Sequence, residues 1–69
     1  MRNRVREFRE VRAWSIAELA RRAEVVPQTI SKMERGTPTS RNSKLKVAKA
    51  LGEKFDEIFP EDVASGPSN

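Results

Sequence analysis

Between residues 5 and 59 apolar side chains never occur more than two in a row, and they recur mostly three or four positions apart among charged ones. A half-buried strand needs strict alternation, which no segment shows, whereas a three-to-four spacing lines up one face of a helix. The chain is therefore expected to be all-α, with five short helices each burying one stripe. Apolar runs this short exclude a bilayer span and a signal-peptide core, so a cytoplasmic protein is expected. Only 36% of the 69 residues are hydrophobic and 35% are charged, and a chain of this size buries only about 60% of the surface it exposes when unfolded. A deep substrate cavity is not expected. The sequence also has no His and no Cys. The commonest general base, the thiolate nucleophile, the soft metal ligands and any disulfide staple are thereby missing. Neither catalysis, nor a metal, cofactor or small-molecule ligand, is expected.

The formal net charge of +4 is unevenly spread. Residues 1–35 carry nine basic and five acidic groups, residues 36–52 four basic and none acidic, and residues 53–69 one basic and five acidic. A basic body with an acidic C-terminal end implies one surface that seeks polyanions and another that avoids them.

Helix boundaries follow from spacing and caps. Val5, Phe8 and Val11 predict a first helix over 4–12. Ser15 and Glu18 have the spacing of a capping box, and Trp14 and Leu19 that of a hydrophobic staple, so a second helix starts here and runs to about Ala23 with Leu19, Ala20 and Ala23 inward. Glu24-Val25-Val26 breaks the pattern. Pro27, suited to a first helical position, opens a third helix that buries Ile30 and Met33 and ends near Arg35, with Gly36 as its left-handed cap. Residues 37–43 hold only turn-prone and polar types and are expected to be a loop. Leu45, Val47, Ala48 and Leu51 predict a fourth helix ending at Gly52, and Phe55, Ile58 and Phe59 a short fifth closed by Pro60. The domain is expected to occupy residues 1–60, with 61–69 a disordered tail.

Two short helices joined by a three-residue break have the proportions of a helix-turn-helix. The residues at Ser15, Glu18, Leu19, Ala20, Val25, Thr29, Ile30, Ser31, Glu34, Arg35 and Gly36, followed by Val47-Ala48-Lys49-Ala50-Leu51-Gly52 and Asp56-Glu57-Ile58-Phe59, closely resemble the Cro/repressor (XRE-type, lambda-repressor-like) helix-turn-helix family. The resemblance spans residues 4–59. It implies a compact five-helix domain that binds double-stranded DNA with the third helix in the major groove, as a transcriptional regulator and most simply a repressor. Four departures stand out: Glu24 where the family has Gly, Val26 where it has a Ser cap, Ile16 where a Gln often reaches phosphate, and Arg41 and Lys44 where leucines usually open the fourth helix.

On this basis Gln28, able to bond adenine bidentately, and Lys32, able to reach guanine one turn further on, are the expected base readers, with Ser31 beside them and Pro27 offering an apolar edge. Phosphate contacts are expected from Ser15 and Thr29, and from Arg41, Asn42, Ser43 and Lys44 just before the fourth helix, where a helix N-terminus favours an anion. The resemblance implies a structural ion pair between Arg9 and Glu34. A homodimer on the operator DNA is expected around the fifth helix, unless Phe55, Ile58 and Phe59 all complete the monomer core. The rival reading keeps the fold as a protein interaction module, such as an antitoxin or a polymerase-binding regulator, whose basic face docks an acidic protein.

Overall fold

The computed structural model describes residues 3–61, and places in them five helices: α1 (Val5–Val11), α2 (Ile16–Ala23), α3 (Pro27–Glu34), α4 (Arg41–Leu51) and α5 (Phe55–Ile58). There is no strand among the described residues. Helix α2 lies at the centre, packed on both α3 and α4, while α1 bridges α3 and α4 and α5 closes against α4. Val5, Leu19, Ile30, Met33, Val47, Ile58 and Phe59 are all at most 1% exposed and form one shared core. Ala20 and Ala23 are buried as well. Their short side chains let the neighbouring helix axes approach α2. No helix among the described residues is long and apolar enough to cross a membrane. Apart from Glu61, which with Pro60 begins a further helical turn, the expected tail lies outside the described residues.

Helices α1 to α4 stop in the same way. At each C-terminus one residue turns left-handed, Ala13 (φ 57°), Glu24 (φ 60°), Gly36 (φ 82°) and Gly52 (φ 70°) in turn. The amides that follow then bond back to the last free carbonyls, as in Val25 N–H to Ala20 O at 3.0 Å and Thr37 N–H to Lys32 O at 2.9 Å. This is the Schellman arrangement. Two of the four positions are glycine, the residue that enters the left-handed region without steric cost. The other two hold a Cβ against the following carbonyl, a penalty of about 1–2 kcal/mol. Glu24→Gly is therefore expected to raise stability by up to about 1 kcal/mol after the extra chain entropy of glycine is deducted. In a domain of this size that is a gain of about 4–8 °C in Tm by circular dichroism. An unchanged or lower Tm would show that the left-handed turn is not strained.

Two helices depart from the expected pattern. In α1, Val11 is 82% exposed and does not belong to the core. The inward stripe is Val5, Phe8, Arg9 and Arg12, at the i, i+3, i+4, i+7 spacing that a helix requires. In α4 the same spacing is met by Lys44, Val47, Ala48 and Leu51, all buried, whereas Leu45 is 45% exposed. The segment 37–43 is likewise not a loop throughout. Ser40 caps α4 by accepting from the Ser43 amide at 3.1 Å, so residues 41–44 form the first turn of the helix rather than preceding it. At the other end, α5 stops at Ile58 and Phe59 breaks it, one residue before the expected Pro60.

Candidate nucleic-acid interface

The α2–turn–α3 unit is built from its caps. The Ser15 hydroxyl accepts from the Glu18 amide at 3.0 Å, which satisfies one free donor of α2. The Glu18 carboxylate does not return the bond to Ser15. It takes the guanidinium groups of Arg21 (2.5 Å) and Arg22 (2.6 Å) instead, and these two bonds hold its pKa below the usual carboxylate range. Arg22 also lies over the Trp14 ring, 4.3 Å from its centroid. Trp14 itself packs against the core, as the staple spacing requires. The turn keeps its left-handed residue at Glu24 although the glycine is missing, so the angle between α2 and α3 is set by the Schellman bonds and by Val25 packed on the core.

Helix α3 is tied down along one side only. Ile30 and Met33 are buried, while Pro27, Gln28 and Lys32 are exposed and Thr29 and Ser31 half-buried. Gln28 and Lys32 are separated by four residues, so their side chains share one outward face about one turn apart. Neither has an internal partner. At the far end Arg9 of α1 grips Glu34 in a bidentate pair, Nε donating to Oε2 at 2.6 Å and Nη2 to Oε1 at 3.1 Å, while Nη1 donates to the Trp14 carbonyl at 2.8 Å. The side chains of this pair are 12% and 9% exposed. The hydrogen bonds to Glu34 raise the Arg9 pKa further above its ordinary value. The Asn3 side-chain amide adds a bond to the Met33 carbonyl at 2.7 Å. The C-terminal end of α3 is thus fixed by α1, and its N-terminal end is left open.

The first turn of α4 holds the remaining candidates, and it divides them. Arg41 and Asn42 are exposed, with the Arg41 guanidinium 4.9 Å from the centroid of the Phe55 ring. The Ser43 hydroxyl accepts from Ser40 Oγ at 3.0 Å and is half-buried. Lys44 is only 7% exposed, with its ammonium 5.7 Å from the centroid of Phe59. Its long apolar stem fills an inward position, and its head lies over the Phe59 ring just past α5, beneath the surface rather than exposed like Arg41. The phosphate role read for Lys44 from its charge and position therefore does not fit its placement.

Three residues of this region were not read from sequence as contacts or caps. Val26, in extended conformation at the N-cap of α3, is 59% exposed and sets an apolar surface beside Pro27. Arg35 is an exposed cation just past α3. Ser40 is the true cap of α4, and its signal was present as a serine three residues ahead of another serine.

Comparison with protein families then decides the class. The helix-turn-helix family model matches residues 5–58, which covers all five helices. The chain belongs to the Cro/C1-type (XRE) helix-turn-helix family. Members of this family are DNA-binding transcription regulators, not enzymes. No curated protein matches the chain. In helix-turn-helix terms α3 is the second helix of the motif, and its N-terminal half is the open one. Among the described residues no group of acidic side chains is placed to hold a metal ion.

Proposed function

We propose that this helix-turn-helix protein reads a specific sequence of double-stranded DNA by inserting α3 into the major groove, and represses transcription by occupying its operator. The observation that carries the reading is the outward pair Gln28 and Lys32, exposed and unpaired on a helix whose opposite side is buried. An amide and an ammonium one turn apart suit adjacent adenine and guanine edges, and Val26 with Pro27 supplies apolar surface for a thymine methyl. Thr29 and Ser31 flank the helix with hydroxyls. Ser15 at the start of α2 and Arg41, Asn42 and Ser43 at the start of α4 lie at two helix N-termini, where amide groups and the helix dipole favour phosphate. Lys44 is left out of this set.

The basic residues differ in whether a carboxylate already holds them. Arg4, Arg6, Arg9, Arg12, Arg21 and Arg22 are each paired with a carboxylate. Among the described residues Lys32, Arg35, Arg41, Lys46, Lys49 and Lys54 are exposed and make no ion pair, and the first three lie on α3, just past it and at the start of α4, so their charge is available to a polyanion there. The test is affinity for duplex DNA as a function of salt. Each phosphate neutralised contributes about −0.9 to the log–log slope, so a clearly negative slope is expected on any duplex. A slope near zero would overturn the DNA reading and favour a protein partner for the basic face.

A further inference from the structure

The apolar side chains at α5 pack within the monomer, and one of them also reaches the candidate interface. Ile58 and Phe59 are fully buried, and Phe55 is half-buried against the core with its ring centroid 5.0 Å from that of Phe59. A cation stands over each ring of this pair. The Arg41 guanidinium lies 4.9 Å from the centroid of Phe55, and the Lys44 ammonium 5.7 Å from that of Phe59. These are the two cations that stand where leucines usually open the fourth helix. Lys44 is beneath the surface, and Arg41 is exposed.

Arg41 differs from the other arginines that lie over rings. Arg4, Arg12 and Arg22 each have an aromatic ring and are each held by a carboxylate as well. Arg41 makes no ion pair among the described residues, although Asp56 and Glu57 lie on α5 beside Phe55. The difference decides what the guanidinium can still bind. A carboxylate takes up N–H donors and cancels the charge, whereas attraction to a ring face is electrostatic, spends no N–H donor and leaves the charge whole. Without the ring, an exposed arginine at this position would sample many rotamers. The helix dipole would also drive it away from the start of α4, where a cation is disfavoured and an anion favoured. The Phe55 ring holds it there instead.

We infer that Phe55 is a positioning residue for the proposed phosphate contact of Arg41. Its ring fixes the guanidinium at the start of α4 with charge and donors open, so that less side-chain freedom is lost when a phosphate is bound. The inference rests on the DNA reading above and adds α5 to it: Phe55 touches no DNA and acts through Arg41. Since phosphates carry no sequence information, its effect is the same on every duplex.

A double-mutant cycle on duplex affinity tests this. Phe55→Leu keeps an apolar side chain against Phe59 and removes the ring. It should weaken binding to a selected duplex and a scrambled one alike, by about 2- to 10-fold, the scale for ordering one long side chain on binding. The salt slope should change by less than about half a unit, because the charge itself remains. In an Arg41→Ala background the same substitution should have no further effect, since the two residues act as one. Phe55→Tyr, which keeps the ring, should bind like wild type. A role for Phe55 in packing alone would give equal losses with and without Arg41. A second measurement needs no DNA and no variant: in the proton spectrum of the free protein, the ring should shift the Arg41 side-chain protons upfield of those of Arg35, which is exposed and lies over no ring among the described residues. Phe55→Leu should abolish that shift. Equal losses in the two backgrounds, unchanged affinity in Phe55→Leu, or unshifted Arg41 protons in wild type would overturn the proposal and leave the DNA reading standing. A wild type whose duplex affinity is indifferent to salt would overturn the DNA reading, and this proposal with it.

Discussion

Arg9→Ala is expected to remove about 3 kcal/mol of stability, because it leaves the nearly buried Glu34 carboxylate without its partner. The pair is bidentate and its side chains are 12% and 9% exposed, so water cannot replace the guanidinium without the α1–α3 contact opening. The same change strips the Trp14 carbonyl of the donor it receives from Nη1. Domains of this kind hold only about 5–15 kcal/mol in total, and the loss corresponds to a fall in Tm of more than about 10 °C. Arg6→Ala is the control. Its pair with Glu10 has side chains 71% and 57% exposed, so the cost should stay below about 0.5 kcal/mol. Chemical denaturation of the two variants checks the contrast. Equal midpoints would mean that the Arg9–Glu34 pair is solvated and adds nothing. A double change, Arg9→Met with Glu34→Leu, should cost less than Arg9→Ala alone, since it strands no charge.

The chain's helical identity was legible because its stop signals and spacing agree. Ser15 with Glu18, Pro27 and Gly36 mark three helix ends, and the structure uses all three. What the sequence concealed was the inward use of long cations. Arg9 and Arg12 complete the α1 stripe, and Lys44 completes that of α4, so a reading that seats only apolar residues inside put Val11 and Leu45 in the core instead. Arg12 shows why such a residue can face in. Its guanidinium donates to the Phe8 carbonyl at 2.8 Å, to the Leu51 carbonyl at 2.6 Å and to Glu53, and so closes the C-termini of both α1 and α4 with its charge fully partnered. Polarity alone cannot reveal this. Spacing can, because 5, 8, 9, 12 and 44, 47, 48, 51 are both unbroken helical stripes. The start of α4 was missed for a related reason: serine and asparagine favour turns and first helical turns alike, and only the Ser40 cap separates the two outcomes. The outward face of α3 was the most legible part of the candidate site, since a helix that buries Ile30 and Met33 has to turn Gln28 and Lys32 outward.

If α3 docks as proposed, that outward geometry should separate residues that read sequence from residues that grip the backbone, and Gln28 is the sharpest case. It is the second residue of α3, next to Pro27, exposed, and without an internal hydrogen-bond partner. Truncating it leaves no buried group unsatisfied and breaks no cap, so the fold should be unaffected and Tm should stay within a few degrees of wild type. On the preferred duplex, Gln28→Ala should lose about 1–3 kcal/mol, the value of one bidentate contact to a base, which is about 5- to 150-fold in Kd. On random duplex the loss should be near zero, because there the amide has no matching edge and binding rests on phosphates. Arg41→Ala should show the opposite signature. Its cation sits at the N-terminus of α4 among donors suited to phosphate, so its removal should weaken every duplex by a similar factor and make the salt slope shallower by about one unit. Titrations of both variants against a selected site and a scrambled one, at two salt concentrations, distinguish the roles. If Gln28→Ala weakens the two duplexes by the same factor, the amide is not reading a base and α3 does not enter the groove by this face.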